Sequence, residues 1–181
     1  LGSYSLDRYS VISFNTTAVT TISQQADAPS NNEFQYSLRV AVTTADSSIT
    51  GADNLHIQQY IEGYNVRDIV GRAITLSFWV RSSKTGVHCL SIVNTGDRSY
   101  VKEYTVNAAN TWEKKSVTIP EGLITAGTWN WTTGPGVALR FALAAGPTFQ
   151  STPNAWQPGN FTATSNQVNC LDTIGNIFAI T

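Results

Sequence analysis

Large apolar residues alternate with polar or small ones along most of this chain. In the segment Ala73–Arg81 every second residue is large and apolar, and the segment Phe34–Val42 repeats the pattern. This two-residue period is typical of antiparallel strands with one buried and one solvent-facing side. Eight further strands are predicted, at Ser5–Phe14, Val19–Gln24, Leu55–Ile61, Val87–Asn94, Tyr100–Val106, Glu113–Ile119, Ala138–Ala144 and Ile177–Ile180.

The number of strands and the turns between them predict the fold class. Turn-forming clusters such as Thr132–Gly136 separate the strands, and Asn65–Val70 alone hints at a helical turn. Many short strands at this spacing favour two packed sheets. We therefore expect an all-β fold, a two-sheet antiparallel β-sandwich of jelly-roll type, with residues 1–181 forming a single domain. The expected core residues are Leu38, Val40, Ile74, Leu76, Phe78, Val80 and Phe141.

Charge is sparse in this sequence. Charged residues make up 13% of the 181 positions and the formal net charge is −1, whereas soluble domains usually have about 25% charged residues. Nucleic-acid binding depends on Lys and Arg that neutralise phosphates, so nucleic acid is not an expected partner. No stretch approaches the roughly 20 apolar residues that a spanning helix needs, so no membrane insertion is expected.

The residues suited to catalysis occur in an unfavourable pattern. His56 and His88 both lie inside predicted strands, and His88 directly precedes Cys89. Adjacent strand residues point to opposite faces, which is the wrong geometry for a catalytic dyad. We therefore expect a protein that is not an enzyme. Cys89 and Cys170 are interpreted as two buried thiols, with a disulfide between them left open.

No cofactor and no metal ligand set is predicted from the sequence. A structural calcium ion remains an alternative, because a few carboxylates near loops combine with backbone carbonyls in such sites. Asp53, Asp97 and Asp172 are the residues considered for this role.

The order of several segments is more informative than any single motif. These segments are Gly2–Tyr9, Ser37–Val42, Gln58–Gly63, Gly71–Ser82, Asn110–Pro120 and Trp156–Asn160. Together they resemble a jelly-roll domain of bacteriophage and prophage tail-fibre and virion proteins. They are similar, more distantly, to the carbohydrate-binding jelly rolls of bacterial glycoside hydrolases. The resemblance spans nearly the whole chain.

The resemblance implies a function and a setting. It implies a module of the virion, part of a longer protein, that binds a host-surface glycan and contacts other virion proteins. Fibre proteins of this kind imply a homotrimer in the intact parent. The alternative function is a purely structural virion module, for capsid decoration or fibre assembly, without a ligand.

Loop aromatics are the predicted ligand-binding residues. Sugar-binding sandwiches stack sugar faces on exposed aromatic rings and read the hydroxyl groups with amides and charged groups. Trp129, Asn130 and Trp131 lie together in a Gly/Thr-rich loop, and Trp156 and Gln157 lie in a Pro/Asn-rich one. The alternatives for these tryptophans are packing at the end of the sandwich and contact between subunits.

Aromatics on strands are a second group. Trp79 lies on the polar side of its strand, so we predict that it binds ligand on an outer sheet face, next to Tyr60 and Arg81. The alternative is that another strand or subunit covers this face. Trp112, just before a strand, is predicted to anchor the core.

Overall fold

The fold is built almost entirely from strands. The computed structural model describes residues 8–29, 34–94, 96–120 and 126–181, and residues 4–6 for their backbone alone. Helix in these residues is limited to α1 (Gly63–Val66) and to 3-10 turns at Arg67–Ile69 and Pro147–Phe149. The twelve strands of the described residues are β1 (Tyr4–Leu6), β2 (Tyr9–Phe14), β3 (Val19–Gln25), β4 (Ser37–Thr44), β5 (Asn54–Glu62), β6 (Ile74–Ser82), β7 (Gly86–Val93), β8 (Arg98–Val106), β9 (Glu113–Ile119), β10 (Pro135–Ala145), β11 (Trp156–Pro158) and β12 (Ile177–Ile180).

The strands form two antiparallel sheets. One has seven strands in the order β1-β2-β5-β10-β7-β8-β11, and the other has five in the order β3-β4-β12-β6-β9. Within them lie the orders β5-β10-β7-β8 and β4-β12-β6-β9, in which every neighbouring pair except the β7–β8 hairpin joins strands that are not consecutive in the sequence. These are the two four-strand sheets of a jelly roll. The predicted fold class is therefore confirmed.

The core lies between the two sheets. Phe78 of the five-stranded sheet packs edge-on against two rings of the seven-stranded sheet, Tyr104 at 5.2 Å and Phe141 at 5.0 Å between ring centroids. Of the predicted core residues, Leu38, Val40, Phe78, Val80 and Phe141 are buried, while Ile74 and Leu76 are partly buried against the same cluster. The strand faces were thus assigned correctly.

The outer side of the seven-stranded sheet is partly covered as well. Residues 147–168, which follow β10, fold over β7 and β8. There Cys89, Val101 and Ala163 form a small second cluster, and Phe149 and Phe161 pack against it. The backbone amide of Val168 donates to the carbonyl of Val87 at 2.9 Å. This covering segment forms one side of the groove described below.

Some predicted boundaries differ from the observed ones. The predicted strand Ser5–Phe14 is divided into β1 and β2, and Asp7 between them lies outside the described residues. The strand predicted to begin at Phe34 begins at Ser37. The short strand β11 was missed, because its Pro/Asn-rich surroundings are typical of a loop.

Trp112 is not the core anchor that was predicted. Val117 and Ile119 of β9 enter the core, and strand residues alternate between faces. Trp112 therefore shares the outward side with Lys114 and Ser116. Its indole nitrogen lies 3.3 Å from a carboxylate oxygen of Asp27, to which it donates a hydrogen bond.

Glu113 organises the turn between β8 and β9. Its carboxylate accepts hydrogen bonds from the backbone amides of Asn107 and Ala108, each at 2.8 Å, and pairs with Lys115 at 2.6 Å. Burial opposes ionisation of Glu113, but these donors outweigh it and lower its pKa to about 2. The turn is therefore held by an ionised carboxylate at neutral pH.

Both cysteines are free thiols, in agreement with the interpretation from sequence. Burial raises the pKa of Cys89 and raises that of Cys170 to about 12. Within the described residues, no helix has the length and apolar character needed to cross a bilayer.

Candidate functional site

The outward face of β5 carries polar and aromatic side chains in place of apolar ones. Leu55 and Ile57 enter the core, so the alternating residues Asn54, His56 and Tyr60 face outward. Gln58 lies between the last two on the same face and, like Asn54 and His56, is buried. Buried polar residues on an outer sheet face indicate that other parts of the chain cover them.

Strand register brings further side chains to the same face. In β2, Phe14 lies opposite Asn54 and Ile12 lies opposite His56. In β10, Arg140 lies opposite Gln58. Cross-strand neighbours of this kind have Cβ atoms about 4.5–5.5 Å apart. Three adjacent strands therefore form one continuous surface.

This surface is the floor and one side of a groove with a volume of about 280 Å³. Phe149 and Asn160, from the covering segment 147–168, form the opposite side. Phe14 and Phe149 meet edge-on across it, with ring centroids 6.0 Å apart. We call it the outer-face groove, and its lining residues are Ile12, Phe14, Asn54, His56, Gln58, Tyr60, Arg140, Phe149 and Asn160.

Two aromatic side chains of the groove are well exposed. Phe14 is 53% exposed and Tyr60 is 38% exposed. Tyr60 also borders a neighbouring hollow of about 710 Å³ that is lined by Arg8, Glu62 and Pro135 among others. Exposed rings thus flank the polar floor at both ends.

Hydrogen bonds orient the polar floor. The side-chain amide of Asn54 donates to Thr162 Oγ1 at 3.1 Å, so Asn54 Oδ1 faces His56 Nδ1, 3.4 Å away. Because the Asn54 oxygen can only accept, this contact places an imidazole proton on Nδ1. Burial, with a contribution from the nearby positive charge of Arg140, lowers the pKa of His56 to about 3. His56 is therefore neutral at physiological pH.

Arg140 places a positive charge in the middle of the groove. Its Nη1 donates to the side-chain oxygen of Asn160 at 2.6 Å, while its buried Nε has no hydrogen-bond partner. Burial lowers the pKa of Arg140 to about 10, and the nearby Tyr60 hydroxyl acts in the opposite direction. The guanidinium thus stays charged at neutral pH.

The three tryptophans predicted in loops form one cluster, away from this groove. Trp129 and Trp131 stack at 5.9 Å, Trp129 meets Trp156 edge-on at 5.9 Å, and Trp156 contacts Tyr100 at 5.5 Å between centroids. All three indoles are half-buried against the main core. This tryptophan cluster packs against the main core, and its role in ligand binding stays a prediction.

The amides beside the tryptophans differ in how they are engaged. Asn130 donates to the carbonyl of Thr133 at 2.9 Å and accepts from the backbone amide of Thr132 at 2.9 Å. Its side chain therefore shapes its own loop. Gln157 is half-buried in β11, opposite Ser99 of β8. Whether either amide contacts a ligand stays a prediction.

Trp79 lies on the other sheet. It belongs to β6, in the five-stranded sheet, and Lys114 Nζ stands 5.9 Å from its ring centroid. Tyr60 belongs to the seven-stranded sheet. The prediction that the two residues share an outer face is therefore wrong. Arg81 does lie on the same strand as Trp79.

Sequence analysis missed most of the outer-face groove. The alternation of β5 was visible, and Tyr60 was singled out for an outer face. The polar members Asn54, His56 and Gln58 were the available signal, because a polar run at every second position of a strand predicts an outward face. The contribution of Phe149 and Asn160 depends on how the segment after β10 folds back.

The three carboxylates considered for calcium lie apart, each with its own partner. Asp53 accepts from the Thr50 amide at 2.7 Å, Asp97 accepts from the Thr128 amide at 2.9 Å, and Asp172 pairs with Lys84 at 2.6 Å. The described part of the chain contains no group of three or more His, Cys, Asp or Glu residues that could hold a metal ion.

Known proteins resemble this chain in fold. No protein-family model matches the sequence, and no curated protein shows significant sequence similarity. Among solved structures, the enzymatically active domain of bacteriophage CBA120 tailspike protein 4 matches 95% of this chain with a TM-score of 0.51 and 14% identity. The chain spans 18% of the length of that tailspike chain.

Carbohydrate-binding modules are matched at lower TM-scores. A CBM4 module matches 95% of this chain and 84% of its own length, with a TM-score of 0.47 and 12% identity. The C-terminal family 22 carbohydrate-binding module of Clostridium thermocellum Xyn10B matches 97% of this chain and 83% of its own length, with a TM-score of 0.45 and 11% identity. At such identities the likeness concerns the fold alone.

Proposed function

We propose that this chain is a non-catalytic glycan-binding module, and that the outer-face groove is its binding site. The observation that carries the proposal is a groove that combines exposed aromatic rings with an ordered polar floor. Sugars offer both an apolar ring face and a set of hydroxyl groups, so they need this combination. An exclusively apolar or an exclusively charged groove would suit other ligands.

The aromatic rings supply contact area for a sugar face. Phe14 and Tyr60 are exposed at the two ends of the polar floor, and Phe149 supports Phe14 edge-on. Burying apolar surface is worth about 25 cal/mol per Å². The proposal assigns the stacking contacts to Phe14 and Tyr60.

The polar groups supply directional hydrogen bonds. Asn160 is exposed and its side chain is already oriented by Arg140. Gln58 and His56 line the floor, but His56 Nε2 is buried and is not assigned a sugar contact.

The setting proposed for the module is the virion, as a host-attachment domain of a longer protein that is trimeric when intact. Support comes from the order of sequence segments that resembles tail-fibre domains. The rival proposal is a purely structural virion module. The observation in its favour is the tryptophan cluster, whose half-buried indoles suit packing between chain segments or subunits.

A glycan array followed by titration calorimetry tests the proposal. The isolated chain is screened on bacterial surface glycans, and the best ligand is then titrated into Phe14→Ala and Tyr60→Ala. True hot-spot aromatics cost about 2 kcal/mol or more on truncation, roughly thirtyfold in affinity. Losses of this size in both variants support the groove as the site.

Matched controls come from exposed aromatics elsewhere. Phe34 is 41% exposed and Tyr64 is 51% exposed, and neither lines the groove. Phe34→Ala and Tyr64→Ala are expected to bind like the parent. If Trp131→Ala and Trp156→Ala lose binding while the groove variants keep it, the site is the tryptophan cluster. A chain that binds no glycan supports the structural proposal.

A further inference from the structure

The outer-face groove contains a single positive charge. Arg140 is the one formally charged side chain among the nine described residues that line it. Its neighbours on the floor are the amides of Gln58 and Asn54 and the neutral imidazole of His56. The local field of the groove is therefore positive.

Arg140 also lacks a carboxylate partner within the described part of the chain. The ion pairs found there are Arg81–Asp27, Lys84–Asp172 and Lys115–Glu113. The hydrogen bond of Arg140 goes instead to the neutral side chain of Asn160. Charges that are mostly withdrawn from water are normally paired, because desolvation is costly. An anion bound from outside the chain would provide the missing partner for the Arg140 charge.

From this we propose that the sugar unit held in the groove is anionic, and that Arg140 is the residue that selects it. The inference rests on the proposed function, since it takes the groove as the glycan site. A guanidinium matches a carboxylate through parallel hydrogen bonds, so an acidic sugar with a carboxylate is the ligand class.

The neighbouring hollow does not change the sign of this field. It carries one cation and one anion, Arg8 and Glu62, whose charges offset each other. Tyr60 lines both this hollow and the outer-face groove, whereas Arg140 lines the groove alone. Selection by charge is therefore expected at Arg140, at the centre of the groove.

The test compares acidic oligosaccharides with their own neutral forms. An array carries each uronic-acid oligosaccharide beside its methyl ester, which has the same rings without the charge, and sulfated oligosaccharides form a third arm. The parent chain is expected to bind the carboxylate form at least about tenfold more tightly than the ester, the effect of one well-placed charge pair. Equal binding of acid and ester overturns the inference and leaves the proposed function standing.

Three substitutions examine the role of Arg140. Arg140→Gln is expected to bring the acid-to-ester ratio close to one, and Arg140→Lys is expected to keep a preference for the acid. Asn160→Asp leaves Arg140 in place but gives it a carboxylate partner, so it is also expected to abolish the preference. This variant keeps the test decisive if Arg140→Gln does not fold.

Arg39 provides the matched control. It lies in β4 of the other sheet, is half-buried like Arg140, and its Nε likewise has no hydrogen-bond partner. Arg39→Gln is expected to retain the acid preference of the parent. A preference for the acid that persists in Arg140→Gln or in Asn160→Asp contradicts the assignment, and so does its loss in Arg39→Gln. A preference for sulfated over carboxylated sugars overturns the carboxylate class, and failure to bind any sugar contradicts the proposed function itself.

Discussion

Replacing Phe78 by alanine tests whether the two sheets pack as the fold requires. Phe78 is 5% exposed, and its ring lies between Tyr104 and Phe141 of the facing sheet. The substitution therefore removes one ring and leaves two aromatic partners without their edge contacts. It also opens a cavity that the surrounding strands can only partly close.

The expected cost follows from these contacts. Phe→Ala in a core typically costs about 3–5 kcal/mol, and each aromatic pair adds about 0.5–1.5 kcal/mol beyond its buried area. Because Phe78 forms two such pairs, we expect a loss in the upper half of the first range. Domains are stable by about 5–15 kcal/mol, so the variant is expected to fold with a much smaller free energy of unfolding.

Urea unfolding, followed by tryptophan fluorescence, measures this loss. The midpoint is expected to fall while the slope m is unchanged, since m reflects the surface exposed on unfolding. Phe34→Ala, at a ring that is 41% exposed, serves as the control and should change the free energy of unfolding by less than about 0.5 kcal/mol. A loss below about 1 kcal/mol for Phe78→Ala would refute the assigned strand face.

Three further predictions concern other parts of the molecule. Glu113 has a pKa lowered to about 2, so the stability it provides is present above about pH 4.5 and lost as pH falls towards 2. In Glu113→Gln, the free energy of unfolding should therefore depend less on pH across that range than it does in the parent. Cys89 and Cys170 are buried thiols with raised pKa values, so a thiol reagent should label neither in the native protein and both in urea, and rapid native labelling would contradict the packing. A Cβ at Gly63 would stand 2.4 Å from the Asn130 carbonyl oxygen, so Gly63→Ala should destabilise the protein by about 1–3 kcal/mol, and an unchanged melting temperature would refute this contact.

Local periodicity was enough to predict the sandwich. The face of β6 that carries Phe78 and Val80 could be assigned because its alternation is unbroken. The bounds of β9, Glu113–Ile119, were predicted to the residue for the same reason. Where the signal was weaker, as around β11, the strand is three residues long and is defined by pairing with β8 rather than by its own pattern.

The candidate site was harder to predict, because it depends on contacts between distant segments. Trp129 and Trp131 stood out in the sequence as loop aromatics, but loop position does not reveal that a ring folds back onto the core. Phe14 and Phe149 are 135 positions apart and meet only after the sheet has formed. Arg140 looked like an ordinary strand residue, and its position in a groove follows from register with β5.

Mapping a bound glycan by nuclear magnetic resonance shows whether the outer-face groove is the binding site. A ¹⁵N-labelled chain is titrated with the best ligand from the array, and backbone amide shifts are followed residue by residue. We expect the largest changes along β2, β5 and β10 around His56, Tyr60 and Arg140, and on the facing residues Phe149 and Asn160. Changes confined to the tryptophan cluster at Trp129 and Trp131, with the outer-face groove unaffected, would contradict this expectation.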